Sequence, residues 1–429
     1  MWTPATSGPP TSPASGASPS RCWTADVTVR ARLDEIAGIG RDPVRGGYSR
    51  HLLDDADLAL RAWFHRSAVE LGLDVERDGN GNLWAWWGPQ GPDAVSTGSH
   101  LDSVPGGGAY DGPLGVASAF EAVAQLQASG WTPSRPIAVV AFSEEEGSRF
   151  GLPCLGTRLM VGAASAATVR ALADGDGGTL EDVWSAAGWD PRGIGPDPDR
   201  VARLGAFVEL HVEQGRDLED RGAPLGTASA IIPHGRWRLT IDGEGNHAGT
   251  TPTADRRDPV VALAAVVTAA RATAVAAGPS ARATVGRLAV TPNGTNVIAS
   301  RVEAWLDIRA ATDDAVRTQL AATIARAAEG VAAEGCTLSV AEESFSPRVD
   351  FDQALTARIG DVLGGVPTIP TGAGHDAGIL APLVPTAMIF VRNPTGVSHA
   401  PGEGARDEDA EAGAVALAAV LRDLAGASA

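Results

Sequence analysis

The chain has no lysine: all 34 basic residues among its 429 are arginines. High Ala, Gly and Arg content ties this to GC-rich codon usage, but the chemical consequence does not depend on the cause. A Schiff-base lysine, a phosphate-loop lysine and a carboxylated lysine bridging two metals are all impossible, which removes PLP enzymes, P-loop nucleotide hydrolases and lysine-bridged cyclic amidohydrolases. Cysteine is almost as scarce. Cys22, Cys154 and Cys336 lie far apart and lack CxxC spacing, so no disulfide framework or thiolate metal site is expected, and a reducing, cytoplasmic setting is. Cys154 reads as a packing residue. Positive charge is in deficit: a formal net charge of −18 argues against a nucleic-acid partner, whose phosphates it would repel. No apolar run approaches the ~20 residues needed to span a bilayer, so no membrane partner is expected. The start of the chain is rich in Pro, Ser, Thr and Gly, without the basic start and apolar centre of a signal peptide, and reads as a disordered tail over residues 1–24.

What is present is ample for two packed cores: 44% of residues are hydrophobic, and the length exceeds one ordinary domain. Apolar spacing predicts helices over Thr28–Ala37 and Leu58–Leu71. The run LGLDVERDGNGNLWAWW predicts a hairpin over Leu73–Trp87, turning at Asp78-Gly79-Asn80-Gly81. Strands at Ala94–Thr97, Pro136–Phe142 and Ala206–Leu210 then alternate with a helix at Leu114–Ala128, the signature of a mostly parallel sheet covered by helices. After about Thr227 the character changes. Strands at Arg236–Asp242, Ala283–Val290, Val302–Ile308 and Thr337–Ala341, with helices at Pro259–Ala277 and Asp313–Ala333, give the order β-α-β-β-α-β of a ferredoxin-like unit. Alternation resumes after Phe345. The expected fold is therefore α/β: a first domain over 25–227 and 343–429, interrupted by an inserted α+β domain over 228–342.

Five chemically capable residues, His100, Asp111, Glu146, His211 and His399, each follow a predicted strand or lie in a loop beyond one. Strand ends are where an α/β fold gathers its chemistry, and imidazoles with carboxylates are what a pair of divalent ions needs. Asp102, in His100-Leu-Asp102, suits support of the histidine through its second ring nitrogen. Asp111 lies in GGGAYDGPLG, where glycines let the backbone wrap a carboxylate. Glu144-Glu145-Glu146 directly follows a buried apolar strand, a costly placement unless something cationic meets it. Consecutive extended residues point to opposite sides, so one ligand and one neighbouring general base is the economical assignment. His247 and His375 also lie in glycine-rich or strand-end settings.

With these residues assembled, the sequence resembles the amidohydrolase branch of the M20 metallopeptidase-like family, which includes allantoate amidohydrolases, N-carbamoyl-L-amino acid hydrolases and β-alanine synthases. The matching segments are GSHLDSVPGGGAYDGPLGV, EEEGSRF, ELHVEQG, GNHAGTTP, PNGTNVI, DIR, GAGHDA and GVSHAPGE, spread from residue 98 to residue 403. The resemblance implies a dinuclear site with His100, Glu146, His211 and His399 as ligands, Asp111 as the bridging carboxylate and Glu145 as general base. It implies two divalent ions, zinc or manganese, with cobalt and nickel also suited. It further implies that Gln214, His247, Asn296 and Arg309 bind substrate, with His247 reaching the partner subunit's site in a homodimer. The same resemblance makes the first domain catalytic and the inserted one a lid and dimerisation domain, with hinges near 228 and 343. The implied reaction is hydrolysis of a ureido C–N bond in a small carboxylate, releasing ammonia and carbon dioxide. Allantoate ranks first as substrate, then an N-carbamoyl-L-amino acid, then N-carbamoyl-β-alanine. A catalytically inactive metal-binding homologue is the alternative of another class, which an intact base and ligand set argue against.

Overall fold

The computed structural model describes residues 28–426; the predicted tail over 1–24, with Cys22, lies outside the described residues. The centre is a sheet of nine strands among the described residues. Its four inner strands are parallel, in the order Ile137–Phe142, Ala94–His100, Leu204–Val212 and Thr386–Val391. The first and last of these are buried along their whole length, as continuous apolar runs require when both sheet faces are covered. One face carries the helices Val29–Ile36, Asp55–Glu70, Pro113–Ala128 and Asp407–Ala425, whose Phe64, Phe120 and Leu417 share a core with Val139, Leu210 and Ile389. On the other face Trp84, Phe142 and Phe207 pack with Leu380 and Met388. Because the inner strands are parallel, the loops that follow them open along one edge.

Antiparallel strands flank this centre. The hairpin Asp74–Arg77 and Leu83–Trp87 closes one side, and Leu225–Ile231 pairs with Thr386–Val391 on the other. The hairpin forms where its sequence predicts, but its turn is not a solvated loop. Asp78, Asn80 and Asn82 are all buried. The Asp78 carboxylate accepts from the backbone N–H groups of Asn80 and Asn82, from the Asn82 amide and from the Trp84 indole. Asn82 Oδ1 in turn accepts from the N–H of Ser143 at 3.0 Å. The turn thus anchors the root of the acidic triplet.

Between residues 234 and 346 lies a second sheet, four-stranded and antiparallel, in the order Thr337–Ser346, His234–Asp242, Arg301–Arg309, Arg282–Thr291. This is the ferredoxin-like order expected. Val302, Ala304, Leu306 and Ile308 alternate inward as their period predicts, against Ala262, Val266, Ala327 and Val331 of two helices, Pro259–Ala277 and Asp313–Ala333. Asp258 and Thr312 cap the starts of these helices.

Two expectations need correction. The joints anticipated at 228 and 343 fall inside the strands Leu225–Ile231 and Thr337–Ser346; the chain crosses between sheets at Ile232-Pro233 and again at Pro347-Arg348. The small residues of LGTASAI give a weak strand signal, which hides the true boundary. The helix Pro259–Ala277 also has the length and composition to cross a bilayer, so an apolar run of that size does exist. Its Ala262, Leu263, Val266, Ala269 and Ala270 are buried against the second sheet.

Candidate metal centre

His100 ends its strand, and His211 lies one residue before the end of the next strand over. Both imidazoles are fully buried, with their rings stacked 5.9 Å apart. Room for His100 depends on Gly112, at φ +81°, where a Cβ would lie 2.5 Å from the ring. Each ring is fixed by its Nδ1: that of His100 lies 3.1 Å from the Asp102 carbonyl and that of His211 lies 2.9 Å from the Val212 carbonyl. A carbonyl oxygen only accepts, so Nδ1 carries the proton and Nε2 is left to offer a lone pair. The two Nε2 atoms stand 3.4 and 3.2 Å from Asp111 Oδ1 without the alignment of a hydrogen bond, and both are buried without a partner. Two lone pairs and a carboxylate converging in a dry site call for a cation between them.

The loops complete the arrangement. Ligand atoms of His100, Asp111 and His211 lie within 4.8 Å of one another, and so do those of Asp111, Glu146 and His399. Asp111 belongs to both groups. His399 Nε2 is 3.5 Å from Asp111 Oδ2 and 3.4 Å from Glu146 Oε2. All five residues singled out from the sequence therefore converge, around the position of a shared carboxylate. A third, fully buried group, Glu209, His211 and His375, lies beside the first; the His375 ring stands edge-on to His211 at 4.6 Å.

The acidic triplet divides its work. Asp102 accepts the backbone N–H groups of Glu145 and Glu146 on its two oxygens, at 3.2 and 3.1 Å, so the residue that backs His100 also holds the triplet in place. Glu144, whose role the sequence left open, turns away in left-handed backbone at φ +55°. Its Oε1 accepts from the N–H groups of Arg149 and Phe150, which makes it the anchor of the following loop. Glu145 is buried with Oε2 3.8 Å from His100 Nε2. Cys154 is more than packing: its thiol lies 3.5 Å from Glu145 Oε1 and donates to it.

Electrostatics follow from burial and proximity. Burial raises Glu145 well above the usual carboxylate range, and the charges of Glu146 and Asp376 add to it although His100 opposes. Burial, then the Asp111 charge, pushes Glu146 up to about 8. Burial alone would depress His100 and His211, yet Glu145, Asp102 and Asp111 outweigh it at His100, and Asp111 at His211. The negative field that raises both histidines is the field a divalent cation would meet, and binding would displace those protons.

The remaining sequence-predicted residues are placed as follows. Gln214 Nε2 donates to Asp111 Oδ2 at 2.9 Å and to Ser398 Oγ at 3.1 Å, while its Oε1 is buried without a partner. Arg309 is held by Asp307 and by the carbonyl of Gly372 in the GAGHDA segment, which joins the second sheet to the first. His247 ends the short exposed strand Asn246–His247, which pairs with Val297–Ile298, and Asn296 lies in the exposed turn before that partner strand, where the N–H of Ala248 donates to the Asn296 carbonyl. His247 Nδ1 accepts from the N–H groups of Gly249 and Thr250 at 3.0 and 3.1 Å, which leaves Nε2–H as an outward donor. Neither makes a hydrogen bond or ion pair with the metal-ligand cluster among the described residues. Sequence reasoning passed over Glu209, Asp376 and Glu403. Glu209 could have been found, since it shares a strand face with His211 two residues on; its oxygens accept from Ser99 Oγ and the N–H of Ala377. Asp376 accepts from the Thr157 hydroxyl.

The fold and this site are those of a hydrolase, and relatives named as amidohydrolases make it one of amide and ureido C–N bonds. Residues 96–423 match Peptidase family M20/M25/M40, and the chain belongs to that family. It is 38% identical to an N-carbamoyl-L-amino acid amidohydrolase of Geobacillus stearothermophilus, covering 90% of this chain and 95% of that one. It is 33% identical to the allantoate amidohydrolase of Escherichia coli (strain K12), covering 92% and 97%. Among solved structures, an amidase of the hydantoinase/carbamoylase family from Burkholderia multivorans superposes with a TM-score of 0.82 at 33% identity, covering 92% of this chain and 97% of the other.

Proposed function

We propose that the chain hydrolyses the ureido C–N bond of a small carboxylate substrate at a site holding two divalent ions. The observation that carries this reading is the sharing of Asp111 between two ligand groups, one with His100 and His211 and one with Glu146 and His399. Mixed imidazole and carboxylate ligands suit zinc or manganese. When bound, such ions lower the pKa of a water molecule toward about 7 and polarise a carbonyl. Glu145, a buried carboxylate with a raised pKa, takes the proton of the attacking water and passes it to the departing nitrogen. The thiol of Cys154 and the Asp102 clamp hold it in position for both transfers. Products are ammonia and a carbamate that loses carbon dioxide.

Substrate recognition falls mainly to the second unit, with Gln214 from the first. Closure frees the Arg309 fork from Asp307 and the Gly372 carbonyl, which hold it in this structure, to pair with the substrate carboxylate in a bidentate manner; Asn296 and Gln214 orient it, and His247 Nε2–H stabilises the developing oxyanion. Since His247 is turned outward within its own chain, we assign it to the site of a second copy in a homodimer, with closure of the second unit completing each site. Mixing two inactive variants, Glu145→Gln and His247→Ala, then restores activity through hybrid dimers; no recovery on mixing refutes donation in trans.

Of the substrates that fit this chemistry, two have specific support. The resemblance of FVRNPTGVSHAP to bacterial allantoate amidohydrolases favours allantoate, while the higher identity to the N-carbamoyl-L-amino acid enzyme, 38% against 33%, favours its substrate. Ammonia release measured side by side on allantoate, N-carbamoyl-L-amino acids and N-carbamoyl-β-alanine, with zinc and manganese compared, orders them. Glu145→Gln should keep its metal and lose turnover by about 10²–10⁴-fold, the range of general acid–base catalysis. Near-normal turnover removes Glu145 from the mechanism, and no ammonia from any ureido acid removes the reading itself.

A further inference from the structure

Glu403 has no part in the chemistry above, yet it is a buried carboxylate on the loop that carries His399. Its own N–H donates to the carbonyl of Ala400, so a tight turn ties it to the histidine. Across the site its Oε1 accepts two consecutive backbone N–H groups, those of Tyr110 and Asp111, each at 2.9 Å. Its Oε2 is buried without a partner. Gly108 makes the approach possible: a Cβ there would lie 2.1 Å from Oε1 and 2.3 Å from Cδ of Glu403. Carboxylates hold consecutive N–H groups elsewhere at the site too: Asp102 those of Glu145 and Glu146, and Glu144 those of Arg149 and Phe150. His399 needs such help. Its side chain is 48% exposed, its backbone is left-handed at φ +57°, and among the described residues no carbonyl fixes its Nδ1 as one does for His100 and His211.

We propose that Glu403 is a positioning residue that clips the His399 loop to the Asp111 loop and so sets the affinity of the Asp111–Glu146–His399 group for its ion. The proposal rests on the two-ion reading. The clip works through acceptance of two N–H groups, which a glutamine carbonyl also provides and an alanine does not. It acts less on the His100–Asp111–His211 group, which shares Asp111 but whose two histidines are fixed by their own strands.

The test is zinc binding by the full chain, titrated into chelated protein against a competing chelator, with thermal unfolding of the metal-free proteins as the fold control. Wild type binds two ions. Glu403→Ala keeps one tight ion and binds the other about 10–100-fold more weakly, the range that partners of metal ligands command. Glu403→Gln stays close to wild type. Gly108→Ala, which displaces the Glu403 carboxylate without removing it, weakens the same ion, and carries the test with Glu403→Gln if Glu403→Ala does not fold. Wild-type affinity for both ions in Glu403→Ala or Gly108→Ala refutes the clip, as does equal weakening of both ions. A wild type that binds a single ion refutes the two-ion reading and the proposal with it.

Discussion

The two ligand groups that share Asp111 are built differently. On one side His100 and His211 sit on neighbouring inner strands, wholly buried, each ring fixed by a carbonyl at Nδ1. On the other, Glu146 and His399 lie in loops, and His399 is half exposed. The first side is rigid because the sheet makes it so: the ligand positions are those of backbone already paired in a parallel ladder. The second side depends on side-chain clamps, Asp102 for Glu146 and Glu403 for His399. A site made this way has one position preorganised by the fold and one assembled by its loops. On the two-ion reading proposed above, the difference predicts one tightly held ion and one that exchanges more readily.

The largest effect expected comes from attacking the rigid side. His211→Ala removes a buried ligand and leaves His100 alone opposite Asp111 Oδ1, so both ions are lost and ammonia release falls to background, as metal analysis beside the assay would show. His399→Ala is the counterpart: one ion is retained, the other is lost, and activity returns in part when metal is added in excess. If His211→Ala held an ion that His399→Ala did not, the order of the two sides would be reversed. Chelation of the wild type sharpens the comparison without mutation. Loss of metal in two phases, with activity following the first, is the expected record; a single phase would make the two positions equivalent.

How much of this was legible in the sequence can be argued residue by residue. The strands that carry His100 and His211 were located but ended too early, at Thr97 and Leu210, because the polar residues of STGSH and ELHV do not read as buried strand, whereas Arg301–Arg309 of the second sheet was found because its alternation is clean. The joints between the two sheets were misplaced because LGTASAI, small and mild, says little about where a strand stops. The hairpin turn was located but its burial was not, since the groups that bury it, Gly195 and Ser143 among them, come from distant parts of the chain. The five candidate ligands lie together in the structure, while Glu403 escaped because a carboxylate that accepts backbone N–H groups from a loop 292 residues away leaves no local signal. The triplet Glu144-Glu145-Glu146 shows the limit most clearly: alternation required a division of labour, but only geometry assigned Glu144 to the loop.

That assignment gives the smallest effect and a direct contrast with its neighbour. Glu144 is pushed up to about 7 by burial and then by the Asp102 charge, so near neutral pH it is already partly protonated, and glutamine is a close mimic of that state. Its Oε1 serves Arg149 and Phe150 as an acceptor, and a glutamine carbonyl does the same. Glu144→Gln should therefore keep both ions, leave kcat and KM within about threefold and shift Tm by no more than about 3 °C, where the same substitution one residue later removes turnover. Glu144→Ala, which strips the acceptor from two buried N–H groups, is expected to cost about 1–3 kcal/mol of stability and to loosen the 144–150 loop. A collapse of turnover in Glu144→Gln with metal retained would move the general base from Glu145 to Glu144. Asp102 would then be holding the wrong residue, and the division of the site into a side set by strands and a side set by clamps would fail at its central clamp.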